Sequence, residues 1–327
     1  MTTLLAPAPS SSSAPLRNFM TLDQLGPEGL RALLDLTGRI KRDPDAFRNR
    51  LGGGRLGMLF NKPSTRTRVS FEAAAWLLGM LPVVLRPDEL QLGRGETVSD
   101  TAHTLSLYLS AIAVRTFSQA SLEELADAAS IPVINALTNE HHPCQAVADA
   151  MTLEESVGTL AGISVAFIGD GDNVCHSLMQ AAALAGFELR VATPPGYEPS
   201  PEIVAEARVR AADSGGSIVL THDPMEAASG ADAVYADVWT SMGQEAEQAA
   251  RKAAFADFTV DARLMRHASP RAIFLHCLPA HRGEEVSAEV IDGPASRVWP
   301  QAENRMHTEA ALLYTILAGD PGGERVP

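Results

Sequence analysis

Cysteine is scarce in this sequence, and its spacing does not suggest pairing. The 327 residues include three cysteines, Cys144, Cys175 and Cys277, and none of them belongs to a Cys-x-x-Cys motif. An odd number of cysteines at these spacings argues against a disulfide framework and favours a reducing compartment. We therefore expect a cytoplasmic protein.

Long apolar runs are also missing. No run approaches the ~20 apolar residues that span a bilayer. The first fifteen residues, MTTLLAPAPSSSSAP, have neither the basic start nor the long apolar core of a secretory signal, and Arg17 is the first basic residue. We expect residues 1–15 to be a disordered tail, and we expect no membrane partner.

Positive charge is in short supply. Lysine and arginine number 26 against 40 aspartates and glutamates, which gives a formal net charge of −14. Binding to nucleic acid or to an anionic membrane needs a basic face, so this balance argues against both partners. A local arginine cluster can still bind a small anion at short range.

Strand and helix patterns alternate along the chain, which predicts an α/β protein with parallel sheets flanked by helices. Predicted strands lie at 55–61, 82–85, 111–115, 132–136, 163–168, 188–192, 217–220, 233–237 and 272–275. Predicted helices lie at 29–41, 65–79, 97–110, 121–129, 143–155, 173–185, 201–212 and 302–317. Such sheets bind ligands at the carboxyl ends of their strands.

The length and the pattern together predict two domains with a cleft between them. The pattern breaks just after the helix at 143–155, where glycines occur at 158 and 162. We therefore place the first domain at residues 16–150 and the second at 151–327. We expect the helix at 302–317 to pack back on the first domain.

Hydroxyl and guanidinium groups are concentrated where the first predicted strand runs into a helix, at Ser64, Thr65, Arg66, Thr67 and Arg68. Ser64 or Thr65 suits the N-cap of that helix. Free backbone N–H groups and the helix dipole favour an anion at such a terminus, and the two arginines add charge-assisted donors. A plain capped helix with solvated arginines is the alternative. The spacing of a Walker loop is absent, so a nucleotide is not implied.

Two weaker signals lie at other predicted strand ends. Arg115 ends the strand at 111–115, and His142-Pro143-Cys144-Gln145 lies at another strand-to-helix turn. An imidazole and an amide there could both donate to one carbonyl oxygen. Taken alone, each signal is weak, and a lone His-Pro is more often part of an ordinary loop.

Taken together, these segments resemble the aspartate/ornithine carbamoyltransferase family over about residues 18–318. Ser-Thr-Arg-Thr-Arg, a strand-end Arg and His-Pro-x-Gln occur in that family's order and spacing. The resemblance implies that the first domain binds carbamoyl phosphate and that Gln91 reaches into a neighbouring subunit's site. The implied carbamoyl phosphate contacts are Ser64, Thr65, Arg66, Thr67, Gln91, Arg115, His142 and Gln145.

The second half contains three further segments, each with an alternative interpretation. Gly169-Asp170-Gly171-Asp172-Asn173 resembles a dinucleotide loop, but the third glycine is missing. Asp237 at a strand end could hold an ammonium group or could cap a turn. The segment His276-Cys277-Leu278-Pro279-Ala280-His281 could suggest zinc or a Cys–His nucleophile, although no second ligand pair is present.

These segments resemble the citrulline-forming, ornithine branch of the same family, which has a Ser-Met-Gly loop and a His-Cys-Leu-Pro segment. The resemblance implies an ornithine-binding second domain, with Cys277, Leu278 and Arg305 also reaching carbamoyl phosphate. The implied ornithine contacts are Asn173, Asp237, Ser241 and Met242. Asp172 departs from the family, which commonly has a second asparagine there.

The implied reaction is direct attack of an amine on carbamoyl phosphate, without a metal, a cofactor or a covalent intermediate. Arg115, His142 and Cys277 are the implied catalytic residues. The resemblance also implies a homotrimer with shared active sites and a role in arginine biosynthesis. Putrescine or an acylated ornithine remains an alternative acceptor, and a non-catalytic protein that kept the phosphate pocket is a competing class.

Overall fold

The strands form two separate parallel sheets. The computed structural model describes residues 16–86, 88, 90–92, 95–240 and 245–318. The first sheet has the order β2-β1-β3-β4 and contains β1 (Arg55–Phe60), β2 (Leu81–Leu85), β3 (Ala111–Arg115) and β4 (Val133–Leu137). The second has the order β7-β6-β5-β8-β9 and contains β5 (Ser164–Ile168), β6 (Glu188–Ala192), β7 (Ser217–Thr221), β8 (Ala233–Ala236) and β9 (Ile273–His276).

Helices connect the strands and cover the sheets, which confirms the predicted α/β architecture with two parallel sheets. In chain order they are α1 (Gly26–Arg42), α2 (Thr65–Leu77), α3 (Val98–Ser106), α4 (Gln119–Ala128), α5 (Pro143–Val157), α6 (Asn173–Ala185), α7 (Pro201–Ser214), α8 (Pro224–Ala228), α9 (Gln248–Ala254), α10 (Ala262–Met265), α11 (Ala288–Ile291) and α12 (Val298–Ala318). No helix among the described residues is both long enough and apolar enough to cross a membrane.

Each sheet contains a point at which the chain reverses its direction of travel. In the first sheet the chain leaves β1 for β2 on one side and returns to β3 on the other. In the second sheet it leaves β5 for β6 and β7, and then returns to β8 beside β5. Open α/β sheets bind ligands at the carboxyl ends of the strands at such reversals.

The last helix, α12, lies against the first half of the chain. It packs on α1, α2 and α5, and its residues Ala310 to Leu313 are buried in the main hydrophobic core. That core also includes residues of both sheets, such as Met58 of β1 and Phe167 of β5. The helix therefore carries side chains from the end of the sequence to the carboxyl ends of the first sheet.

Candidate functional site

A cavity of about 710 Å³ lies where the carboxyl ends of the two sheets face each other. Its walls combine residues that follow β1, β3 and β4 with residues that follow β5, β8 and β9. The lining residues are Lys62, Pro63, Ser64, Thr65, Arg66, Thr67, Arg115, Phe117, Leu137, Asn139, His142, Asp172, Asn173, Val174, Asp237, Val238, Thr240, Gln248, Cys277, Leu278, Pro279, His281, Glu284 and Arg305.

The N-terminus of α2 forms one wall of this cavity. Ser64 is its N-cap, with an extended backbone and with its Oγ accepting a hydrogen bond from the Thr67 N–H at 3.3 Å. This confirms the predicted cap. The first-turn N–H groups of a helix lack intrahelical partners and carry the positive end of the dipole, so this wall suits an anion.

Three guanidinium groups converge on the same end of the cavity: Arg66, Arg115 and Arg305. Burial and repulsion from Arg305 and Arg66 lower the pKa of Arg115 to about 10. Burial is also the main reason why the pKa of Arg66 is lowered, and Arg305 lowers it further. The cations destabilise one another, and a bound anion would relieve that repulsion. We call this part of the cavity the donor end.

Arg305 is held in place by partners on three helices. Its Nη1 donates to Gln145 Oε1 at 2.7 Å, and its Nη2 donates to Thr67 Oγ1 at 3.2 Å. Its Nε and Nη2 both donate to Glu309 Oε1, at 3.1 and 2.9 Å. Burial raises the pKa of Glu309 to about 7, although Arg305 opposes that shift. The guanidinium therefore faces the cavity in a preset orientation.

His142 adds a neutral polar group beside these cations. Burial, followed by repulsion from Arg305, Arg115 and Arg66, holds the pKa of His142 well below its ordinary value. Its backbone N–H donates to Ser177 Oγ at 2.7 Å, which fixes the residue at the start of α5. The imidazole is therefore neutral near pH 7, and a neutral imidazole can donate one N–H to a carbonyl oxygen.

The opposite end of the cavity, which we call the acceptor end, contains a carboxylate paired with a thiol. Cys277 Sγ donates to Asp237 Oδ1 at 3.0 Å. Burial and then the nearby Asp237 raise the pKa of Cys277 well above its ordinary value. Burial also raises the pKa of Asp237. Cys277 is thus a thiol and a hydrogen-bond donor, which is a poor state for a nucleophile.

The ring nitrogens of His276 are hydrogen-bonded to Leu278 and Glu285, and neither is hydrogen-bonded to the Cys277 thiol. Its Nδ1 accepts a hydrogen bond from the Leu278 N–H at 2.8 Å, and its Nε2 faces Glu285 Oε1 at 3.3 Å. Because Nδ1 accepts, the proton lies on Nε2. The geometry therefore gives no support to a Cys–His nucleophile at Cys277.

Asn173 is the first residue of α6, directly after the turn that leaves β5. Its Nδ2 donates to the Thr138 carbonyl oxygen at 2.5 Å, and it lines the cavity between the two ends. A Cβ on Gly171 would lie 2.3 Å from the Pro199 nitrogen. The backbone of residues 198–199 therefore covers this turn, which argues against a dinucleotide loop.

Among the residues that the structure describes, two groups of side chains place potential metal ligands within 4.8 Å of one another: Asp237, His276 and Cys277, and also His281, Glu284 and Glu285. Each group offers three ligands, whereas a structural zinc site uses four. The first group belongs to the acceptor end described above. In the second, Glu284 already accepts a hydrogen bond from Lys252 Nζ at 2.7 Å.

Two family descriptions match the chain in succession. The carbamoyl-P binding domain of aspartate/ornithine carbamoyltransferases matches residues 17–155, and the Asp/Orn binding domain matches residues 161–316. The chain belongs to the aspartate/ornithine carbamoyltransferase family.

Individual relatives agree with this family over nearly their full length. The chain is 50% identical over 312 residues to an ornithine carbamoyltransferase of Acidothermus cellulolyticus, which covers 95% of this chain and 100% of the relative. It is 52% identical over 301 residues to that of Bacillus subtilis, covering 92% and 94%. The solved ornithine carbamoyltransferase from Pyrococcus furiosus superposes with a TM-score of 0.91 at 46% identity, covering 94% and 100%.

Most of the residues that the family resemblance implied lie in the one cavity. These are Ser64, Thr65, Arg66, Thr67, Arg115, His142, Asn173, Asp237, Cys277, Leu278 and Arg305. Gln145 lies behind Arg305 and does not line the cavity, while Gln91 is exposed outside it. Ser241 and Met242, like the predicted tail at 1–15, fall outside the described residues. The individual roles of all these residues stay predictions.

The sequence interpretation missed Lys62 at the edge of the donor end. Its Nζ donates to Asn139 Oδ1 at 2.7 Å and lies 4.1 Å from the centre of the Phe117 ring. The signal for it in the sequence is a lysine two residues before Ser64, at the same strand-to-helix turn.

Proposed function

We propose that the protein transfers the carbamoyl group of carbamoyl phosphate to the δ-amine of L-ornithine, giving L-citrulline and phosphate. One observation carries this proposal: a cation-rich end and a carboxylate–thiol end face each other in the same cavity, across the two sheets. The first end suits a phosphorylated donor and the second suits an amine. Membership of the carbamoyltransferase family and the named relatives support the same reaction.

Carbamoyl phosphate binds at the donor end. Its phosphate lies on the N-terminus of α2, where Ser64, Thr65 and Arg66 hold it. Because Arg66, Arg115 and Arg305 repel one another, the dianion relieves an electrostatic cost that the protein already carries. The donor binds before ornithine, because the groups that hold its phosphate are complete without a bound acceptor.

Ornithine binds at the acceptor end with its amines toward carboxylate and carbonyl groups. Asp237 and Cys277 position the δ-amine and favour the loss of its proton, while Asn173, Ser241 and Met242 hold the rest of the substrate. The ammonium first gives one proton to solvent. The neutral nitrogen then attacks the carbonyl carbon, the bond from that carbon to the phosphate oxygen breaks, and a second proton from the nitrogen leaves with the phosphate. Neither step forms a covalent bond to the protein.

Charge that develops on the carbonyl oxygen is met by donors that are already aimed at the cavity. Arg115 supplies a guanidinium, His142 supplies a neutral imidazole N–H, and Thr67 supplies a hydroxyl whose oxygen also accepts from Arg305. Fixed donors of this kind need no reorganisation during the reaction. We assign the catalytic roles to Arg115, His142 and Cys277.

An acceptor-specificity assay tests the proposal. Purified protein is incubated with carbamoyl phosphate and, in separate reactions, ornithine, putrescine, acetylated ornithine or aspartate, and the carbamoylated product is measured by mass spectrometry. We expect citrulline to form with the highest kcat/KM. If putrescine or acetylated ornithine is carbamoylated with a higher kcat/KM, that amine is the acceptor and the assignment of ornithine is wrong. The absence of turnover with every amine would favour a non-catalytic protein.

We also propose a cytoplasmic homotrimer that works in arginine biosynthesis. The described structure supports the location through three cysteines that are all free thiols. It supports self-association through large apolar side chains that lie on the surface, among them Val69 and Trp76 on α2, which are 55% and 67% exposed. Mass photometry should give a particle mass of three times the 34.7 kDa of one chain.

Shared sites can be tested with two inactive variants. In the proposed trimer Gln91 serves a neighbour's site, so Gln91→Ala and Arg115→Ala damage different contributions to one site. Mixing the two variants under conditions that exchange subunits should restore some activity, because some hybrid sites receive both intact residues. A mixture as inactive as its parents would contradict the placement of Gln91.

A further inference from the structure

A buried carboxylate joins the two ends of the cavity from behind. We propose that Asp149 is a positioning residue that ties Arg305, at the donor end, to the backbone of His276, at the acceptor end, through Gln145 and Gln301. This inference deepens the proposed function and rests on it for the identity of the two substrates. It assigns a task to a side chain that does not line the cavity.

The connection is continuous in hydrogen bonds. Arg305 Nη1 donates to Gln145 Oε1 at 2.7 Å, and Gln145 Nε2 donates to Asp149 Oδ1 at 2.8 Å. From the other side, the His276 N–H donates to Gln301 Oε1 at 2.9 Å, and Gln301 Nε2 donates to Asp149 Oδ1 at 2.7 Å. All of these side chains are buried.

The chemistry of the two outer groups fixes the direction of every bond. A guanidinium and a backbone N–H can only donate, so each glutamine must turn its amide oxygen outward to Arg305 or to His276. Each glutamine must then turn its NH₂ inward. The position between them needs an oxygen that accepts two bonds, and Asp149 Oδ1 supplies it.

Three structural layers meet at this carboxylate. Asp149 and Gln145 lie one turn apart on α5, Gln301 lies on α12, and Tyr235 of β8 donates its hydroxyl to Asp149 Oδ2 at 3.2 Å. Helix α5, strand β8 of the second sheet and the closing helix α12 are therefore fixed to one another at a single buried point. A buried network of this kind is costly to break, because each lost partner leaves a polar group unsatisfied.

The consequence for function lies at the acceptor end. The His276 backbone precedes Cys277, whose thiol is paired with Asp237, and the His276 ring accepts a hydrogen bond from the Leu278 N–H. Fixing the His276 N–H therefore fixes the segment that carries the acceptor groups. When an anion binds to Arg305, the same series of hydrogen bonds holds the segment from His276 to Leu278 in a fixed position relative to the donor.

The test measures how strongly one ligand favours the other. Phosphonoacetamide is carbamoyl phosphate with a methylene in place of the bridging oxygen, and L-norvaline is ornithine without the δ-amine, so the pair binds without reacting. Calorimetry gives the Kd of norvaline with and without saturating phosphonoacetamide. In the unmodified protein we expect the donor analogue to tighten norvaline binding about tenfold or more.

The informative variant is Gln301→Met, which keeps the side-chain length and removes both the amide oxygen that accepts from His276 and the NH₂ that donates to Asp149. We expect the coupling to fall to about threefold or less, while phosphonoacetamide alone binds as in the unmodified protein because Gln145 and Arg305 stay paired. Coupling that persists in Gln301→Met would overturn the inference.

A matched control exists one turn along the same two helices. Asn304 Nδ2 of α12 donates to Thr152 Oγ1 of α5 at 2.9 Å, and both residues are buried. Thr152→Val removes a buried bond between the same helices without touching either end of the cavity. We expect it to lower stability and to keep the coupling. Equal loss of coupling in Thr152→Val and Gln301→Met would show a purely structural effect and would also overturn the inference.

Two changes at Asp149 itself separate hydrogen bonding from charge. Asp149→Ala leaves both glutamine amides without an acceptor, so coupling should vanish. Asp149→Asn keeps an oxygen that can accept both amides, so it should restore most of the coupling. If Asp149→Ala does not fold, Gln301→Met still decides the question. If Asp149→Asn folds and binds both analogues without coupling, the acceptor role fails.

Failure of this inference is distinguishable from failure of the proposed function. The binding experiment does not depend on turnover, and citrulline formation by the unmodified protein is measured separately. Citrulline formation without any coupling would leave the proposed function standing and would remove the role of Asp149.

Discussion

The two ends of the cavity carry opposite and complementary electrostatic strain. At the donor end, burial and mutual repulsion lower the pKa values of Arg66 and Arg115, so positive charge is in excess. At the acceptor end, burial raises the pKa of Asp237, so negative charge is disfavoured. Each end is stabilised by a ligand of the opposite sign.

The two ends also differ in how they are held. Arg305 at the donor end is fixed by Thr67, Gln145 and Glu309, which come from three helices. Asp237 at the acceptor end contacts its own neighbour Val238 and the Cys277 thiol. The Arg305 guanidinium is therefore fixed by contacts from three helices, whereas the Asp237 carboxyl is contacted by residues of the loops that follow β8 and β9.

The largest expected effect is the change with pH in kcat/KM for ornithine, which follows the neutral fraction of its δ-amine. An alkyl ammonium has a pKa near 10, so the neutral amine rises about tenfold per pH unit and roughly a thousandfold between pH 6 and 9. His142 stays neutral over this range because its pKa is held low, so it does not obscure the slope. We expect kcat/KM for ornithine to rise toward alkaline pH. A flat profile would contradict attack by the neutral amine.

Arg115→Ala, a substitution at the donor end, should give the next largest effect, which is a loss of turnover. Removal of one preorganised oxyanion donor typically costs about 10²–10³ in turnover. Circular dichroism and thermal unfolding should show an intact fold, and steady-state kinetics should show kcat falling by that order. Near-normal turnover would remove Arg115 from the catalytic set.

Glu309→Gln tests the support of the donor end. Burial gives the Glu309 carboxyl a folded-state pKa of about 7, above its ordinary 4.5. A carboxyl group whose pKa is higher in the folded state than in the unfolded state stabilises the folded state below pH 4.5. That contribution is lost as the pH rises toward 7. Over this window the unfolding free energy of the native protein should fall, relative to Glu309→Gln, by about 3 kcal/mol. Urea unfolding at several pH values measures the difference, and parallel curves would contradict the shift.

Asp237→Asn should act on the acceptor end alone. Loss of a charge-assisted bond costs about 1.5–3 kcal/mol, which corresponds to roughly a tenfold to hundredfold rise in KM for ornithine. The KM for carbamoyl phosphate should stay within about twofold, because the phosphate contacts lie at the N-terminus of α2, which follows β1 of the first sheet. Equal changes in both KM values would show that the two ends are not separable in this way.

The sequence predicted the framework well and the supporting network poorly. The strands at 111–115 and 188–192 have the predicted bounds, because β-branched and apolar runs bounded by turns are clear signals. The helices α8 to α11 were not predicted, since elements of four to seven residues are too short to show a helical period.

The same contrast holds within the cavity. Arg115 and Asp237 could be predicted because each lies at the carboxyl end of a strand, and parallel strands end at one edge of a sheet. Asp149 and Glu309 lie in helical stretches, 143–153 and 307–313, in which every residue is buried. A polar residue there indicates that a partner exists, but its partners, such as Gln301 for Asp149, lie up to 152 residues away in sequence. Only the three-dimensional packing identifies them.

The smallest effect separates stability from donor binding at Ser64. Its Oγ caps α2, and Ser118 Oγ caps α4 in the same way by accepting from the Ser121 N–H at 3.2 Å. Replacement of either serine by alanine should lower the unfolding free energy by about 1 kcal/mol, because one first-turn N–H loses its acceptor. The α4 cap does not line the cavity, so Ser118→Ala should leave the KM for carbamoyl phosphate unchanged, whereas Ser64→Ala should raise it. Equal KM values in the two variants would mean that Ser64 acts as a helix cap and does not hold the donor.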